Sequence, residues 1–169
     1  MKFRDIPQMT QAHYNVHISW DYLEMWLEKE RTESPLNMDP PYQRGYVWTA
    51  EQKVAYIEYI LKGGISGKDI FWNCPGWMDT YEGPMEIVDG KQRISAVLDF
   101  LNNKIKAFGH LFNEFEDNLR MSEATFIFHI NNLTNKKDIV QWYLDMNTGG
   151  SVHTEKDLQP AYDMIKELE

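Results

Sequence analysis

Apolar positions along this chain change period several times. Tyr14–Ser19 (YNVHIS) reads as a short strand, and Ser19 then suits an N-cap. Behind it Trp20, Leu23 and Leu27 recur at helical spacing. Residues 32–41 hold Ser34, Pro35, Asn37, Pro40 and Pro41 and predict a loop around a brief extended piece. Thr49 and Gln52 form a Thr-x-x-Gln capping box that opens a helix to about Lys62, where Gly63-Gly64 ends it. Ile70–Asn73 reads as a strand, 74–84 (CPGWMDTYEGP) as a turn-rich loop and Met85–Val88 as a second strand. A helix is expected from Gly90 to about Asn103, a weak strand at Lys104–Phe108 and a stronger one at Ala124–Ile130. Another helix runs from about Asn135 to Met146, and Asn147–Ser151 contains a Gly-Gly break. Thr154 caps a last helix with Leu158, Ala161, Ile165 and Leu168 in register. Helices and short strands mix without regular βαβ alternation. The expected class is therefore α+β, a single domain with a small mixed sheet surrounded by helices.

The 169 residues suffice for one domain, 1–169, with a real core, and no repeat or low-complexity linker divides them. Six tryptophans are many for this length, enough for some to serve a binding surface. The net charge of −9 argues against nucleic-acid binding through bulk charge, because the 17 basic residues are scattered. Any DNA contact is expected to be local or to run through a partner. Cys74 is the single cysteine, which excludes an internal disulfide and fits a cytoplasmic setting. The N-terminal MKFRDIPQMT lacks an apolar signal core and no window approaches a membrane span, so neither secretion nor a membrane partner is expected.

The junction Met85–Phe100 (MEIVDGKQRISAVLDF) carries the strongest chemistry. Asp89 and Gln92 fit a capping box, Gly90 permits a sharp turn, and Ile94, Val97, Leu98 and Leu101 form a buried stripe. None of that explains Lys91 and Arg93. The first turn of a helix already carries partial positive charge, and two cations there cost roughly a few tenths of a kcal/mol each. Their presence makes sense where an anion docks, since free N–H groups and basic side chains together form a phosphate site.

Other candidates read more plainly. His13 and His17 could share a strand face as metal ligands, but no acidic partner stands at a metalloprotease spacing. Cys74 lacks a nearby His or basic run and reads as a buried or loop thiol. Phe71, Trp72 and Trp77 around a Pro-Gly turn form either a packed loop or a stacking platform for a base. Trp48 poses the same choice. Glu114, Glu116 and Asp117 read as a solvated acidic loop, and Ser95 as a helix-face serine without a triad.

Three segments carry a family resemblance. Asp89-Gly90-Lys91-Gln92-Arg93 resembles the Asp-Gly-Gln-Gln-Arg motif of the DUF262 family, the N-terminal domain type of GmrSD-like modification-dependent restriction enzymes. Gly90, Arg93 and Ala96 are similar to the Gly-x-x-Arg-x-x-Ala box of the wider ParB/sulfiredoxin superfamily. Pro41–Trp48 (PYQRGYVW) resembles the family's Pro-x-Gln-Arg-x-x-x-Trp segment, and Asp145–Gly150 (DMNTGG) its Asn-x-Gly segment. They stand in family order and give a motif core of about residues 36–158.

The resemblance implies a ParB/sulfiredoxin-like fold in which these motifs converge on a nucleotide. Gly90, Lys91 and the helix start would face the phosphates, and Arg93 and Arg44 would neutralise them. Gln43 and Gln92 would position a phosphate or a water, and Asp89 would orient Arg44 or help hold Mg²⁺. Trp48, Asn147 and Gly149 would complete the pocket. The implied catalytic set is Asp89, Gln92, Arg93 and Arg44, and the implied activity is Mg²⁺-dependent NTP hydrolysis in bacterial or phage DNA defence or processing.

Two departures bear on this. Lys91 replaces the family's first Gln, which keeps a donor and adds a charge; it also excludes the cysteine chemistry of sulfiredoxins. The His-Asn-His nuclease module of the restriction relatives has no counterpart in these residues. Cleavage would need a separate nuclease or defence partner, a remainder of the chain, or a nicking activity in this domain. The alternative functions are a non-enzymatic interaction protein that binds or blunts a restriction complex, and a ParB-like DNA nickase.

Overall fold

A computed structural model describes residue 6 and residues 14–77, 84–120, 122–148 and 155–168. Its elements run β1 (Tyr14–Ser19), α1 (Trp20–Glu33), β2 (Leu36–Asn37), α2 (Ala50–Leu61), β3 (Asp69–Asn73), β4 (Met85–Asp89), α3 (Lys91–Leu101), β5 (Thr125–Asn131), α4 (Lys136–Thr148) and α5 (Glu155–Glu167). The five strands form one mixed sheet in the order β1-β5-β3-β4-β2. β1 lies antiparallel to β5, β3 parallel to β5 and antiparallel to β4, and β2 parallel to β4. The α+β expectation is met.

Strand alternation sends successive residues to opposite faces, and here both faces are covered. Ile70, Trp72 and Ile87 join one core cluster with Leu23 and Leu27 of α1, Ile57 and Ile60 of α2, and Ile94, Val97 and Phe100 of α3. Phe71 and Val88 face a second cluster with Tyr42, Ile139, Val140 and Tyr143, and with Leu158 and Ala161 of α5. The sheet is thus sandwiched between α1–α3 and α4–α5. Each fully buried Leu, Ile or Phe contributes about 1.5–3 kcal/mol, so the two layers share the stability.

Local signals explain most boundaries. Thr49 and Gln52 form the reciprocal capping box at the start of α2, and Gly63 follows its end with φ of 90°. Ser19 occupies the N-cap of α1, but its hydroxyl bonds Asp21 rather than the backbone. The weak strand expected at Lys104–Phe108 does not form; only Ala107 pairs, with His110, in an isolated bridge. Asn103 and Phe108 take positive φ there, which breaks the extended conformation a strand needs. Leu168, expected on the buried face of the last helix, is exposed, and Thr154 lies outside the described residues.

Two buried carboxylates are treated differently. Glu86 is held by Lys136 Nζ at 2.6 and 2.7 Å and by the Tyr42 hydroxyl at 3.1 Å, which fastens the start of α4 to the sheet. Glu30 is fully buried and neither carboxylate oxygen has a partner among the described residues. Burial, reinforced by Glu33 and opposed by Lys29, raises its pKa. The folded chain therefore holds the Glu30 proton more tightly than the unfolded chain does. Its contribution is fully present below the unfolded pKa of about 4.3 and is lost as pH rises through the raised folded value. Glu30→Gln is expected to raise Tm at pH 7 by about 2–4 °C, equivalent to roughly 1 kcal/mol at this length. The gain should shrink towards pH 4; a gain that does not change with pH contradicts the assignment.

Candidate functional site

Three segments converge beside the sheet: the loop after β2, the β4–α3 junction and the C-terminal half of α4. They enclose an open cleft of about 250 Å³. Gln43, Arg44, Trp48, Asp89, Gly90, Lys91, Gln92, Arg93 and Asn147 all line it. Gly149 lies outside the described residues. Tyr143 and Met146 also line the cleft. Sequence reasoning missed both, although Tyr143 stands four residues before Asn147 and therefore on its side of the helix.

The junction is built differently from a capping box. Gly90, not Asp89, is the N-cap of α3, with φ of 105° and no side-chain cap. A Cβ at Gly90 would lie 2.4 Å from Ile70 Cδ1 and 3.3 Å from Ile70 Cα, so any other residue would strain the backbone there and push the Ile70 side chain aside. The first helical bond runs from Ile94 N to Gly90 O at 3.0 Å. The N–H groups of the first turn, which no helix can satisfy internally, thus meet the cleft without a capping side chain.

Gln92, freed from capping, clasps the loop instead. Its Oε1 accepts from Val47 N at 3.1 Å and Trp48 N at 3.2 Å, and its Nε2 donates to Gly45 O at 2.8 Å. Gln43 works in the opposite direction: its Nε2 donates to Ile87 O at 2.6 Å and Val88 O at 2.9 Å on β4. These two amides fix the loop against the sheet and helix, with Arg44 between them. Trp48 leans on Tyr56 with ring centroids 5.3 Å apart.

Each cation of the cleft has an internal partner. Lys91 is 4% exposed, and its ammonium meets the Asp39 carboxylate and sits 4.8 Å from the Tyr46 ring centroid. Arg93 donates to the Asp89 carboxylate and to the Asp69 backbone carbonyl. Behind it, Asp69 bonds His129 Nε2 at 2.7 Å. Arg44 is the loosest, with Asp157 of α5 at 3.8 Å. Tyr143 is buried against Tyr42, and burial raises its pKa while Arg44 pulls it down.

The remaining candidates resolve as packing. Trp72 is fully buried and Phe71 stacks on His129 at 4.8 Å beneath Trp142, so neither forms an exposed platform. The Cys74 thiol is pushed up to about 11, chiefly by burial and then by Glu30, and stays protonated at neutral pH. Ser95 accepts from Lys53 Nζ at 2.9 Å, and Lys53 is in turn held by Asp99. Glu114 accepts from Leu111 N at 2.7 Å. His17 lies on β1 and His13 is outside the described residues; among the described residues no group of three His, Cys, Asp or Glu could hold a metal.

A family model for the GmrSD restriction endonuclease N-terminal domain matches residues 23–168. No curated protein and no solved structure matches the chain.

The junction gives a direct stability test. Gly90→Ala should destabilise the fold by about 1–3 kcal/mol from backbone strain alone, and by more if Ile70 cannot move. Chemical denaturation reads this as a lower midpoint. An unchanged midpoint would show that the left-handed turn is not required.

Proposed function

The chain belongs to the GmrSD restriction-endonuclease N-terminal domain family, and from that premise we propose that its cleft binds and hydrolyses a nucleoside triphosphate within a restriction-related defence system. One observation carries the reading: the uncapped start of α3, opening on a cleft lined by Arg44, Lys91 and Arg93. Free N–H groups and the helix dipole favour an anion at such an end. Gly90 presents backbone there, and Arg44 is the cation held most weakly by the protein. Trp48 offers a ring at the cleft for a base. The volume of about 250 Å³ lies below the roughly 300–1,000 Å³ of sites that enclose drug-sized ligands, so part of the nucleotide would project from the mouth.

The donor set limits what Mg²⁺ could do. Among the described residues Asp89 is the single carboxylate lining the cleft, and one of its oxygens is engaged by Arg93. Such a site fits Mg²⁺ that arrives with the phosphates and keeps most of its waters, with Asp89 as one further ligand; bound there, it would neutralise phosphate charge. The chain's own residues would act by positioning. Arg44 and the α3 N–H groups would hold phosphate oxygens, Gln92 and Gln43 would keep the loop in place, and Asn147 would close the cleft. Phosphoryl transfer draws mainly on such positioning and charge stabilisation.

A second reading, a non-enzymatic interaction protein that binds or blunts a restriction complex, is favoured by the internal pairing of all three cations of the cleft. A thermal-shift screen of ATP, CTP, GTP and UTP with and without Mg²⁺ separates the two. A nucleotide at 100 times its Kd should add about 2.7 kcal/mol, a rise in Tm of roughly 5–10 °C. Arg44→Ala should lose most of that rise while keeping its own Tm, because the Arg44 ion pair is long and partly solvated. Phosphate release should fall in parallel. No rise with any nucleotide would support the interaction reading.

A further inference from the structure

We propose that Asp157 is an internal competitor for the anion of the cleft: it pairs with Arg44 in place of a phosphate, holds down the affinity for a triphosphate, and so makes α5 the element that sets that affinity. The proposal rests on the nucleotide reading above and adds its regulation.

The geometry of the pair favours exchange. Arg44 lines the cleft from the loop after β2, whereas Asp157 is the third residue of α5. Arg44 Nη1 stands 3.8 Å from Asp157 Oδ2, close enough for charge attraction and too long for a hydrogen bond. Phosphate oxygens would approach the same guanidinium to about 2.7–2.9 Å and engage two of its donors at once. Both side chains keep more than a quarter of their exposure, so water can take over from either partner as they part. Lys91 and Arg93 offer no such exchange, being held by Asp39 and by Asp89 with the Asp69 carbonyl.

Asp157 also belongs electrostatically to the cleft. Burial raises the pKa of the Tyr143 phenol, which lines it; Arg44 then lowers that pKa, and Asp89 and Asp157 raise it. One phenol thus senses all three charges. Asp89 is taken up by Arg93, and Asp157 is the carboxylate set against Arg44. A triphosphate drawn in by Arg44 and the α3 N–H groups would meet that carboxylate at short range, where like charges repel. Asp157 therefore opposes the anion twice, by engaging Arg44 before binding and by repelling phosphate after it.

Releasing Arg44 costs α5 little. An acidic residue in the first turn of a helix is favoured by the dipole whatever else it touches. Leu158 and Ala161 hold α5 in the second core cluster independently of the ion pair. The coupling runs both ways. A partner that draws the start of α5 from Arg44 raises affinity for the triphosphate, and a bound triphosphate frees Asp157 for a new contact.

The test is isothermal titration of the full chain with ATP, CTP, GTP and UTP, each with Mg²⁺, and with inorganic tripolyphosphate. Asp157→Asn should bind at least one of the five about fivefold or more tighter than the parent, or bind where the parent does not. Asp163→Asn makes the same charge change on an exposed position of α5 and should stay within about twofold of the parent. In an Arg44→Ala background, Asp157→Asn should bring no gain, since the two residues act as a coupled pair. Parental affinity in Asp157→Asn, an equal gain in Asp163→Asn, or a full gain without Arg44 would overturn the proposal and leave the nucleotide reading standing. No binding of any of the five by the parent and by Asp157→Asn would overturn both.

Discussion

Gly90 turns the chain from β4 into α3 with φ of 105° while its α-carbon side presses on Ile70 of β3. That close approach sets the height of α3 over the sheet. It also decides what the following side chains can reach. With no capping carboxylate at the turn, Gln92 is released to hold the Gly45–Trp48 backbone, and Arg93 folds back onto Asp89 and the Asp69 carbonyl. A capping Asp with the same neighbours would satisfy a first-turn N–H internally and leave the loop without its clasp.

The ion pairs of the cleft differ in kind. Lys91 is buried whereas Asp39 is largely exposed, so water screens part of the pair and removing Asp39 would cost less than breaking a fully buried one. The Lys91–Asp39 contact is best understood as part of the fold, tying the start of the loop to the helix. Arg93 is half structural in the same sense, because a backbone carbonyl of β3 shares its guanidinium. Arg44 differs: its partner belongs to α5, the distance is 3.8 Å, and both side chains retain more than a quarter of their exposure. An exposed pair of that length contributes at most about 1 kcal/mol. Among three basic residues that look alike in sequence, burial and partner distance single out one that can exchange its carboxylate for another anion.

The elements and their order were legible because their signals are local. The Thr49–Gln52 box, the Gly63 stop and the apolar stripes of α1 and α3 each act within a few residues. The gathering of Gln43, Arg44, Asp89, Gly90, Arg93 and Asn147 in one cleft was also anticipated, through motif order rather than through periodicity. What escaped sequence reading depends on contacts between distant segments. Asp89-x-x-Gln92 has the pattern of a capping box, but the approach of Ile70 forces the turn onto Gly90. Lys91 looks like a phosphate ligand until Asp39, 52 residues earlier, is brought to it. The strand expected at Lys104–Phe108 has a fair apolar pattern and lacks a neighbour to pair with. Tyr143 carries no motif at all; its place in the cleft follows from how α4 packs on Tyr42.

Helix α3 links these observations through its charges, which run against its own dipole. It has no acidic residue in its first turn and no basic residue in its last. Lys91 and Arg93 stand at the positive end and Asp99 near the negative end, each arrangement costing about 0.3–1 kcal/mol in an isolated helix. Every one of these charges is answered from outside the run of the helix: Asp39 and Asp89 at the start, Lys53 and Lys104 at the end. The helix is thus a poor helix alone and a well-compensated one in place, and it folds as a consequence of the sheet and loops around it. The compensation also leaves both ends chemically distinct. One presents bare N–H donors beside a loosely held guanidinium, and the other an apolar cavity floored by Phe100.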